Sequence, residues 1–166
     1  MKYVVVYDID GTIADCSHRL PLIYKDKDKE WDRFHEECIN DLPIAGLIDI
    51  LRILANKSGP GIFVVLCTGR PDSSRALTLE WLARNNILVD TDPVREFVPG
   101  QDIKVGKLLM RKNGDYRKDC VIKQEALDKE GYSPETVLCV IDDRTQVVDH
   151  FRSIGYTVLQ CAKGDY

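Results

Sequence analysis

Short runs of apolar residues recur along the chain and predict the strands of a buried β-sheet. Each run is an unbroken series of Val, Ile, Leu and aromatic residues, without alternation between apolar and polar positions. A strand that is covered on both faces requires this composition, which is typical of parallel sheets. Four runs show it clearly and a fifth shows it more weakly: residues 3–7, 62–67, 137–141 and 157–161, and the weaker candidate 107–111.

Helical patterns lie between the predicted strands. Residues 43–56 carry apolar side chains at helical spacing, namely Ile44, Leu47, Ile48 and Leu51. Further helices are predicted over residues 73–86, 117–130 and 145–154, of which 117–130 is expected to be charged and mostly exposed. Strands that alternate with helices favour an open α/β fold of doubly wound type, in which ligands bind beyond the carboxyl ends of the strands.

Two stretches interrupt this alternation. Residues 15–42 are rich in charge and place Trp31, Phe34 and Cys38 at helical spacing, so we predict a small helical cap over the strand ends. Its aromatic residues are expected to form the cap's own core, with stacking on a nucleobase as the alternative. Residues 88–104 contain scattered Asp, Pro and Gly, which predicts an irregular insertion or a β-excursion. A chain of 166 residues is long enough for one compact domain and short for two, so we expect a single domain over residues 1–166.

The charge balance argues against a general attraction to nucleic acid. The chain has 23 Lys and Arg against 27 Asp and Glu, so a phosphate-bearing ligand must be held by local cations or by a metal. No apolar stretch approaches the roughly 20 residues that a bilayer requires, and residues 1–7 lack the pattern of a secretory signal. The six cysteines form no C-x-x-C pair, which favours a reduced, cytoplasmic protein without disulfides.

One pattern of cysteines and histidines leaves a second interpretation open. Four residues of the predicted cap could supply zinc ligands: Cys16, His18, His35 and Cys38. Their spacing matches no common zinc finger. We therefore favour local packing as the explanation of these residues.

Acidic residues end two of the predicted strands. Asp8 and Asp10 follow the first strand, and Asp142 and Asp143 end the strand at 137–141. Four carboxylates at one edge of a sheet repel each other unless a hard divalent cation lies among them. Mg²⁺ takes oxygen ligands in octahedral geometry and leaves room for a phosphate oxygen. The sequence therefore predicts a magnesium site formed by these four residues.

An aspartate in such a site can act as a nucleophile on phosphorus. Attack by Asp8 would give an aspartyl-phosphate, which divides one displacement into two easier ones. Asp10 would protonate the leaving alkoxide and then deprotonate the attacking water. Thr68 and a lysine from residues 118–123 would hold phosphoryl oxygens through the transition state. The alternative is a purely structural role, in which Asp142 and Asp143 only cap the helix at 145–154.

The order of these motifs resembles a known superfamily. DIDGT (8–12), TGR (68–70), a downstream lysine and DDR (142–144) resemble the four motifs of the haloacid dehalogenase (HAD) superfamily of phosphohydrolases. The resemblance implies a HAD-like fold of three layers, α/β/α, with a mainly parallel central sheet and a small cap. In the C-terminal third, RKDCVIKQE, IDDRTQVV and SIGYTVLQCAKGDY resemble the 3′-phosphatase domain of phage-type polynucleotide kinase/phosphatase, which uses Mg²⁺. Residues 15–60 match far more loosely.

The resemblance implies a role for each matching residue. It assigns catalytic roles to Asp8, Asp10, Thr68 and Lys123, and metal ligation to Asp8, Asp10, Asp142 and Asp143. Substrate-binding positions by the same match are Arg19, Gly69, Arg70, Arg111, Asp119 and Arg144, with Asp119 orienting the lysine. Lys118 stays a rival for the role given to Lys123.

These features favour a phosphatase over two alternatives. The resemblance implies a Mg²⁺-dependent phosphomonoesterase that removes 3′-phosphates from polynucleotide ends. The acidic net charge and the small cap favour mononucleotides or other small phosphate esters as substrates instead. A signalling receiver domain is disfavoured, because its acid pair comes first and its lysine last. Residues 57–61 (KSGPG) do not match a kinase P-loop, so we expect no kinase domain and a functional link to a separate kinase or ligase.

Overall fold

The computed structural model describes residues 3–24, 29–56 and 62–164. Nine strands occur in these ranges: β1 (Tyr3–Tyr7), β2 (Ala14–Asp15), β3 (Leu42–Pro43), β4 (Ile62–Pro71), β5 (Ile87–Val89), β6 (Ile103–Val105), β7 (Lys107–Arg111), β8 (Val137–Arg144) and β9 (Val158–Gly164). The α-helices are α1 (Trp31–Glu36), α2 (Ala45–Asn56), α3 (Arg75–Arg84), α4 (Asp119–Lys129) and α5 (Thr145–Ser153). The segment 57–61 and residues 25–28 of the predicted cap lie outside the described residues.

Five strands form the central sheet, in the order β7-β4-β1-β8-β9, and every neighbouring pair is parallel. All five predicted strands are therefore present. Three of them, β4, β8 and β9, extend beyond the apolar runs at their carboxyl ends. There β4 continues through Thr68-Gly69-Arg70 and β8 continues through Asp142-Asp143. The motif residues therefore lie at the end of the sheet that binds ligands in folds of this class.

The sheet is covered on both faces. In β1, Val5 and Tyr7 pack into one core with Leu51 of α2 and Trp81 of α3. Val4 and Val6 point to the opposite core, which contains Leu127 of α4 and Phe151 of α5. This arrangement explains the unbroken apolar composition of β1, because alternate side chains enter different cores. The predicted three-layer α/β/α architecture is confirmed.

The helix predicted at 117–130 is present as α4, but the prediction that it is mostly exposed is wrong for one of its faces. In α4 the side chains of Asp119, Cys120, Ile122, Lys123 and Leu127 are buried. Two of these are charged, so the hydrophobic pattern alone could not show that this face of the helix is covered. The two charged residues, Asp119 and Lys123, face the carboxyl end of the sheet.

The two stretches that interrupt the alternation have different structures. The cap contains 3-10 helices at Ser17–Leu22 and Glu37–Asn40 and the short helix α1, closed at its base by the antiparallel pair β2 and β3. Phe34 and Cys38 are buried in it, and Trp31 contacts the edge of Phe34 while staying partly exposed. The second stretch is a β-excursion, because β5 and β6 pair in parallel.

The excursion contributes to the core as well as to the surface. Ile87 and Val89 of β5, and Ile103 and Val105 of β6, belong to the same core as α2 and α3. Within the described ranges, no helix has the length and apolar character needed to cross a membrane.

Candidate active site

Strand pairing brings the two acidic motifs together. Tyr7 of β1 is in register with Ile141 of β8, and the amide of Asp8 donates to the Ile141 carbonyl at 2.9 Å. Asp8 and Asp142, the next residues along each strand, therefore lie side by side. Oxygen atoms of Asp8, Asp142 and Asp143 lie within 4.8 Å of one another, and all three residues are buried. We call these three residues the acid cluster.

Lys123 of α4 reaches into the acid cluster. Its Nζ lies 2.7 Å from Asp8 Oδ1, 2.7 Å from Asp142 Oδ2 and 3.4 Å from Asp119 Oδ2. Lys118, the rival from the sequence, only precedes the first turn of α4 and is exposed. The structure therefore selects Lys123 as the lysine that lies in the site.

Burial and unequal charge shift the pKa values in the cluster. Burial raises the pKa of Asp8 well above its usual range, and the neighbouring carboxylates Asp142 and Asp143 add to the effect while Lys123 opposes it. Burial lowers the pKa of Lys123, but Asp119, Asp142 and Asp8 together outweigh burial and raise it well above its usual range. The three carboxylates of the acid cluster thus outnumber the one ammonium group of Lys123, and their negative charges repel each other.

The acid cluster fits a hard divalent cation. Its donors are all carboxylate oxygens, which Mg²⁺ prefers, and one such ion would neutralise two excess negative charges. Among the described residues, Asp8, Asp142 and Asp143 are the only group of at least three acidic, histidine or cysteine side chains with this spacing. Asp10 does not belong to the group, so the geometry does not support its carboxylate as a fourth ligand.

Two buried arginines hold Asp10 outside the acid cluster. Arg70 Nε donates to Asp10 Oδ1 at 3.0 Å, and the Arg19 Nη2 group donates to the same oxygen at 2.5 Å. Burial alone would raise the pKa of Asp10, but the guanidinium groups of Arg70 and Arg19 outweigh it and lower the pKa well below its usual range. The two aspartates of the DIDGT motif thus lie in opposite electrostatic environments, although only Ile9 separates them.

Arg19 and Arg70 are buried among protein groups. The side chains of both are fully buried, and Arg19 also donates to the Phe34 carbonyl at 3.1 Å and lies over the Phe34 ring. Arg70 donates to Thr78 Oγ1 at 3.3 Å. Their contacts suit positioning of Asp10, and the assignment of both arginines to substrate binding stays a prediction from the sequence.

Sequence reasoning missed Asp41, the residue that completes this arrangement. Its carboxylate accepts from Arg19 Nε at 2.8 Å, from Arg19 Nη2 at 2.8 Å and from Arg70 Nη2 at 2.8 Å. Its backbone carbonyl accepts from the Trp81 indole at 2.7 Å, which ties the cap to α3. Two arginines and two carboxylates therefore form one buried network, which we call the arginine clamp: Asp10, Arg19, Asp41 and Arg70.

Thr68 and Gly69 form the side of the site provided by β4. Thr68 is buried, and its hydroxyl accepts from the Arg70 amide at 3.3 Å. A Cβ atom placed on Gly69 would overlap the carboxylate of Asp119. Glycine is therefore required here by the close approach of Asp119, which itself lies next to Lys123.

Gly69→Ala is expected to reduce kcat by about two orders of magnitude, the scale that follows from misplacing a catalytic group by roughly 1 Å. The added methyl group would displace Asp119 and, through it, Lys123. Gly46→Ala is the matched control, because a Cβ there meets nothing within 4 Å. Steady-state kinetics and thermal melting of both variants test this prediction, and equal kcat values in the two would contradict it.

Arg111 and Arg144 both lie beside the carboxylate of Asp119. Arg111 Nε donates to the Gly69 carbonyl at 2.8 Å, and Arg111 Nη2 lies 3.3 Å from Asp119 Oδ1. Arg144 Nη1 lies 3.8 Å from Asp119 Oδ2, with 34% of its side chain exposed. Both predicted substrate-binding arginines are therefore near the site, and Arg144 is the one that solvent reaches more.

The four residues considered as zinc ligands have other surroundings. His18 Nε2 lies 2.9 Å from Asp41 Oδ1, and His35 stacks on Trp31. Cys16 and Cys38 are buried. In the part of the chain that is described, no group of three of these side chains comes within ligating distance. Their contacts are those of local packing.

Comparison with solved structures reveals similar chains. The chain is 27% identical to a chain of the Pnkp1/Rnl/Hen1 complex, with a TM-score of 0.74. The similarity covers 100% of this chain and 48% of the other. It is 26% identical to a chain of the Pnkp1/Rnl/Hen1 RNA repair complex, with a TM-score of 0.71. This similarity covers 100% of this chain and 44% of the other. The chain thus spans about half the length of these two relatives.

A more distant structure shares the fold. A HAD family enzyme from Bacteroides thetaiotaomicron, in complex with magnesium and inorganic phosphate, is 12% identical with a TM-score of 0.55, covering 100% of this chain and 97% of the other. The family model described as the polynucleotide kinase PNKP phosphatase domain, a HAD domain, matches residues 2–166. The chain therefore belongs to the PNKP phosphatase family of HAD hydrolases.

Proposed function

We propose that this chain is a Mg²⁺-dependent phosphomonoesterase that removes 3′-phosphates from polynucleotide ends through an aspartyl-phosphate intermediate. The observation that carries the proposal is that the carboxylates of Asp8 and Asp10 lie in different surroundings. Asp8 lies in the acid cluster against Lys123, whereas Asp10 lies in the arginine clamp. Two carboxylates in such different environments suit two different tasks, nucleophile and proton carrier.

The residues divide the reaction into two displacements. Asp8 attacks phosphorus, the bond from phosphorus to the 3′ oxygen breaks, and Asp10 gives its proton to the departing alkoxide. Asp10 then takes a proton from water, which attacks the aspartyl-phosphate and releases phosphate and Asp8. The arginine clamp favours ionised Asp10, so Asp10 takes up a proton from the monoanionic phosphate of the substrate before it passes that proton to the alkoxide. It leaves the first step ionised, in the form that accepts a proton from water.

Three further groups would stabilise the transferred phosphoryl group. Lys123 offers an ammonium group 2.7 Å from Asp8, and Thr68 offers a hydroxyl at the end of the neighbouring strand. The buried donors exclude water and therefore act in a medium of low dielectric, where they are most effective. Mg²⁺ held by Asp8, Asp142 and Asp143 would supply charge neutralisation and polarise the phosphoryl oxygens.

The preference for polynucleotide ends is supported by cations close to the site. The net charge of −4 provides no general attraction to nucleic acid, so binding has to depend on individual residues. Arg111 and Arg144 provide two positive charges next to Asp119. The similarity to a chain of an RNA repair complex supports the same class of substrate.

Phosphate release from matched substrates tests this function. We expect a 3′-phosphorylated oligonucleotide to be hydrolysed with a higher kcat/KM than a 5′-phosphorylated oligonucleotide of the same sequence, or than free nucleotides. Activity should require added Mg²⁺ and disappear with a chelator. Equal or better turnover of free nucleotides would support the second candidate, a mononucleotide phosphatase, which the acidic net charge favours.

Arg144→Ala is expected to raise KM for a 3′-phosphorylated oligonucleotide about tenfold and to reduce the slope of log(kcat/KM) against log[salt] by about one. The reason is the loss of one partly exposed cation that would contact a substrate phosphate. Arg117→Ala is the control, because Arg117 pairs with Asp115 and Glu125 on the surface, whereas Arg144 lies beside Asp119 of the site. An unchanged salt slope in the Arg144 variant would contradict this role.

We further propose a functional link to a separate kinase or ligase. Removal of a 3′-phosphate leaves a 3′-hydroxyl, which is the end that a ligation step consumes. The relatives found in repair complexes support this link. Joining of a 3′-phosphorylated nick by an added ligase, dependent on this chain, would test it.

A further inference from the structure

A cavity of about 440 Å³ opens beside the acid cluster. Asp143 of the acid cluster lines it, and so does Gly11 of the DIDGT motif, so the cavity adjoins the place where phosphate would be bound. The cap contributes Leu20 and Tyr24 to its wall, and the end of β9 contributes Ala162. We infer that this cavity receives the nucleoside of the 3′-terminal nucleotide, an inference that rests on the proposed function.

The size and lining of the cavity suit a nucleoside. Pockets that bury small organic ligands have volumes of roughly 300–1,000 Å³, far larger than one phosphate group needs. The wall includes the apolar side chains of Leu20, Ile44 and Ala162. An apolar wall next to a phosphate site suits a planar base attached to a phosphorylated sugar.

Tyr24 supplies a surface for stacking at the edge of the cavity. Its side chain is 59% exposed, although tyrosine usually buries most of its ring. The Tyr24 amide donates to the Leu20 carbonyl at 3.2 Å, and Ile23 is buried beside it. The ring is therefore presented at the end of a hydrogen-bonded turn.

The apolar wall and the Tyr24 ring suit contact with the face of a base. Asp15 Oδ1 already accepts from the Ser17 amide at 2.9 Å, which engages part of the polar lining within the protein. Stacking tolerates any base because every base has a π-face. We therefore expect little discrimination among the four bases at the 3′ terminus.

The cavity and the two arginines have separate tasks. Arg111 and Arg144 are not among the residues that line the cavity. A nucleotide with its base in the cavity and its 3′-phosphate at Asp8 would leave its 5′-phosphodiester for contact with the arginines. The two sets of contacts can therefore be tested independently.

Kinetics of Tyr24 variants on three substrates test the inference. The substrates are a 3′-phosphorylated oligonucleotide, the same oligonucleotide with an abasic terminal residue, and glycerol 2-phosphate, which has no ring. Tyr24→Ala is expected to lower kcat/KM for the complete oligonucleotide about tenfold to a hundredfold, chiefly through KM, the range expected for one stacked base. Tyr24→Phe should retain activity, and Tyr3→Ala, at the opposite end of the sheet, should behave as the wild type.

The abasic oligonucleotide makes the test specific. For the wild type, removing the terminal base should lower kcat/KM about as much as Tyr24→Ala lowers it on the complete oligonucleotide. For Tyr24→Ala, removing the base should lower kcat/KM little further, because the ring and the base act as one pair. Turnover of glycerol 2-phosphate should not change in the variant. Ala162→Trp, which narrows the cavity from β9, should reproduce the loss on the complete oligonucleotide.

Different results overturn different claims. If the wild type hydrolyses the 3′-phosphorylated oligonucleotide but Tyr24→Ala and Ala162→Trp leave kcat/KM unchanged, the cavity inference is wrong and the proposed function stands. The same holds if removal of the terminal base has no effect on the wild type. If the wild type does not hydrolyse the 3′-phosphorylated oligonucleotide, both the proposed function and the cavity inference are wrong.

Discussion

Asp8→Asn is expected to abolish turnover, by a factor on the order of 10⁴ or more, the scale that follows from removing the nucleophile of a covalent mechanism. An amide oxygen is a poor nucleophile for phosphorus and cannot form an aspartyl-phosphate. The fold should persist, because asparagine has nearly the same shape and Lys123 keeps Asp142 as a partner at 2.7 Å. Phosphate release and thermal melting, measured on the same preparation, test both parts.

Thermal melting with and without Mg²⁺ separates the loss of chemistry from the loss of structure. Without the metal, Asp8→Asn should melt no lower than the wild type, since it removes one of three buried carboxylates that repel each other. With Mg²⁺ the wild type should gain more stability than the variant, because binding to the native state stabilises it by mass action. Asp149→Asn, an exposed carboxylate on α5, is the control. Measurable turnover by pure Asp8→Asn would contradict the nucleophile assignment.

The strands and the acid cluster could be predicted because their signals are local. A strand that is buried on both faces has to be apolar at nearly every position, as Val4 to Tyr7 show. Parallel pairing then places the residues after each strand at one edge of the sheet, so Asp8 and Asp142 meet for topological reasons. The choice of Lys123 over Lys118 required the structure, because both lysines satisfied the same sequence pattern.

The arginine clamp could not be predicted because its members interact over long distances in the sequence. Arg19, Asp41 and Arg70 belong to the cap and to β4, and no periodicity connects them. The match to a family motif indicated that Arg19 and Arg70 matter but suggested direct contact with substrate. Only the buried side chains show that both arginines face Asp10 and require a second carboxylate, a requirement that Asp41 satisfies.

Asp41→Asn is expected to lower the free energy of unfolding by about 3–5 kcal/mol, the cost of removing one partner from a buried network of charges. The Asp41 carboxylate is fully buried and accepts hydrogen bonds from Arg19 and Arg70, so asparagine would leave two guanidinium groups with Asp10 alone. Asp10 would then be drawn towards both cations and away from its place beside the substrate. We expect kcat to fall by about two orders of magnitude as a consequence of this displacement.

A buried carboxylate elsewhere distinguishes positioning from a general loss of stability. The Asp102 side chain is also fully buried, and it accepts from Arg95 Nη1 at 2.7 Å and from the Val98 amide at 2.7 Å, outside the site. Asp102→Asn should therefore lower the melting temperature while leaving kcat close to that of the wild type at temperatures where it is folded. If Asp41→Asn behaves in the same way, with reduced stability but normal kcat, the arginine clamp has only a structural role. A reduced kcat in folded Asp41→Asn, together with normal kcat in Asp102→Asn, would establish that the clamp positions Asp10 for proton transfer.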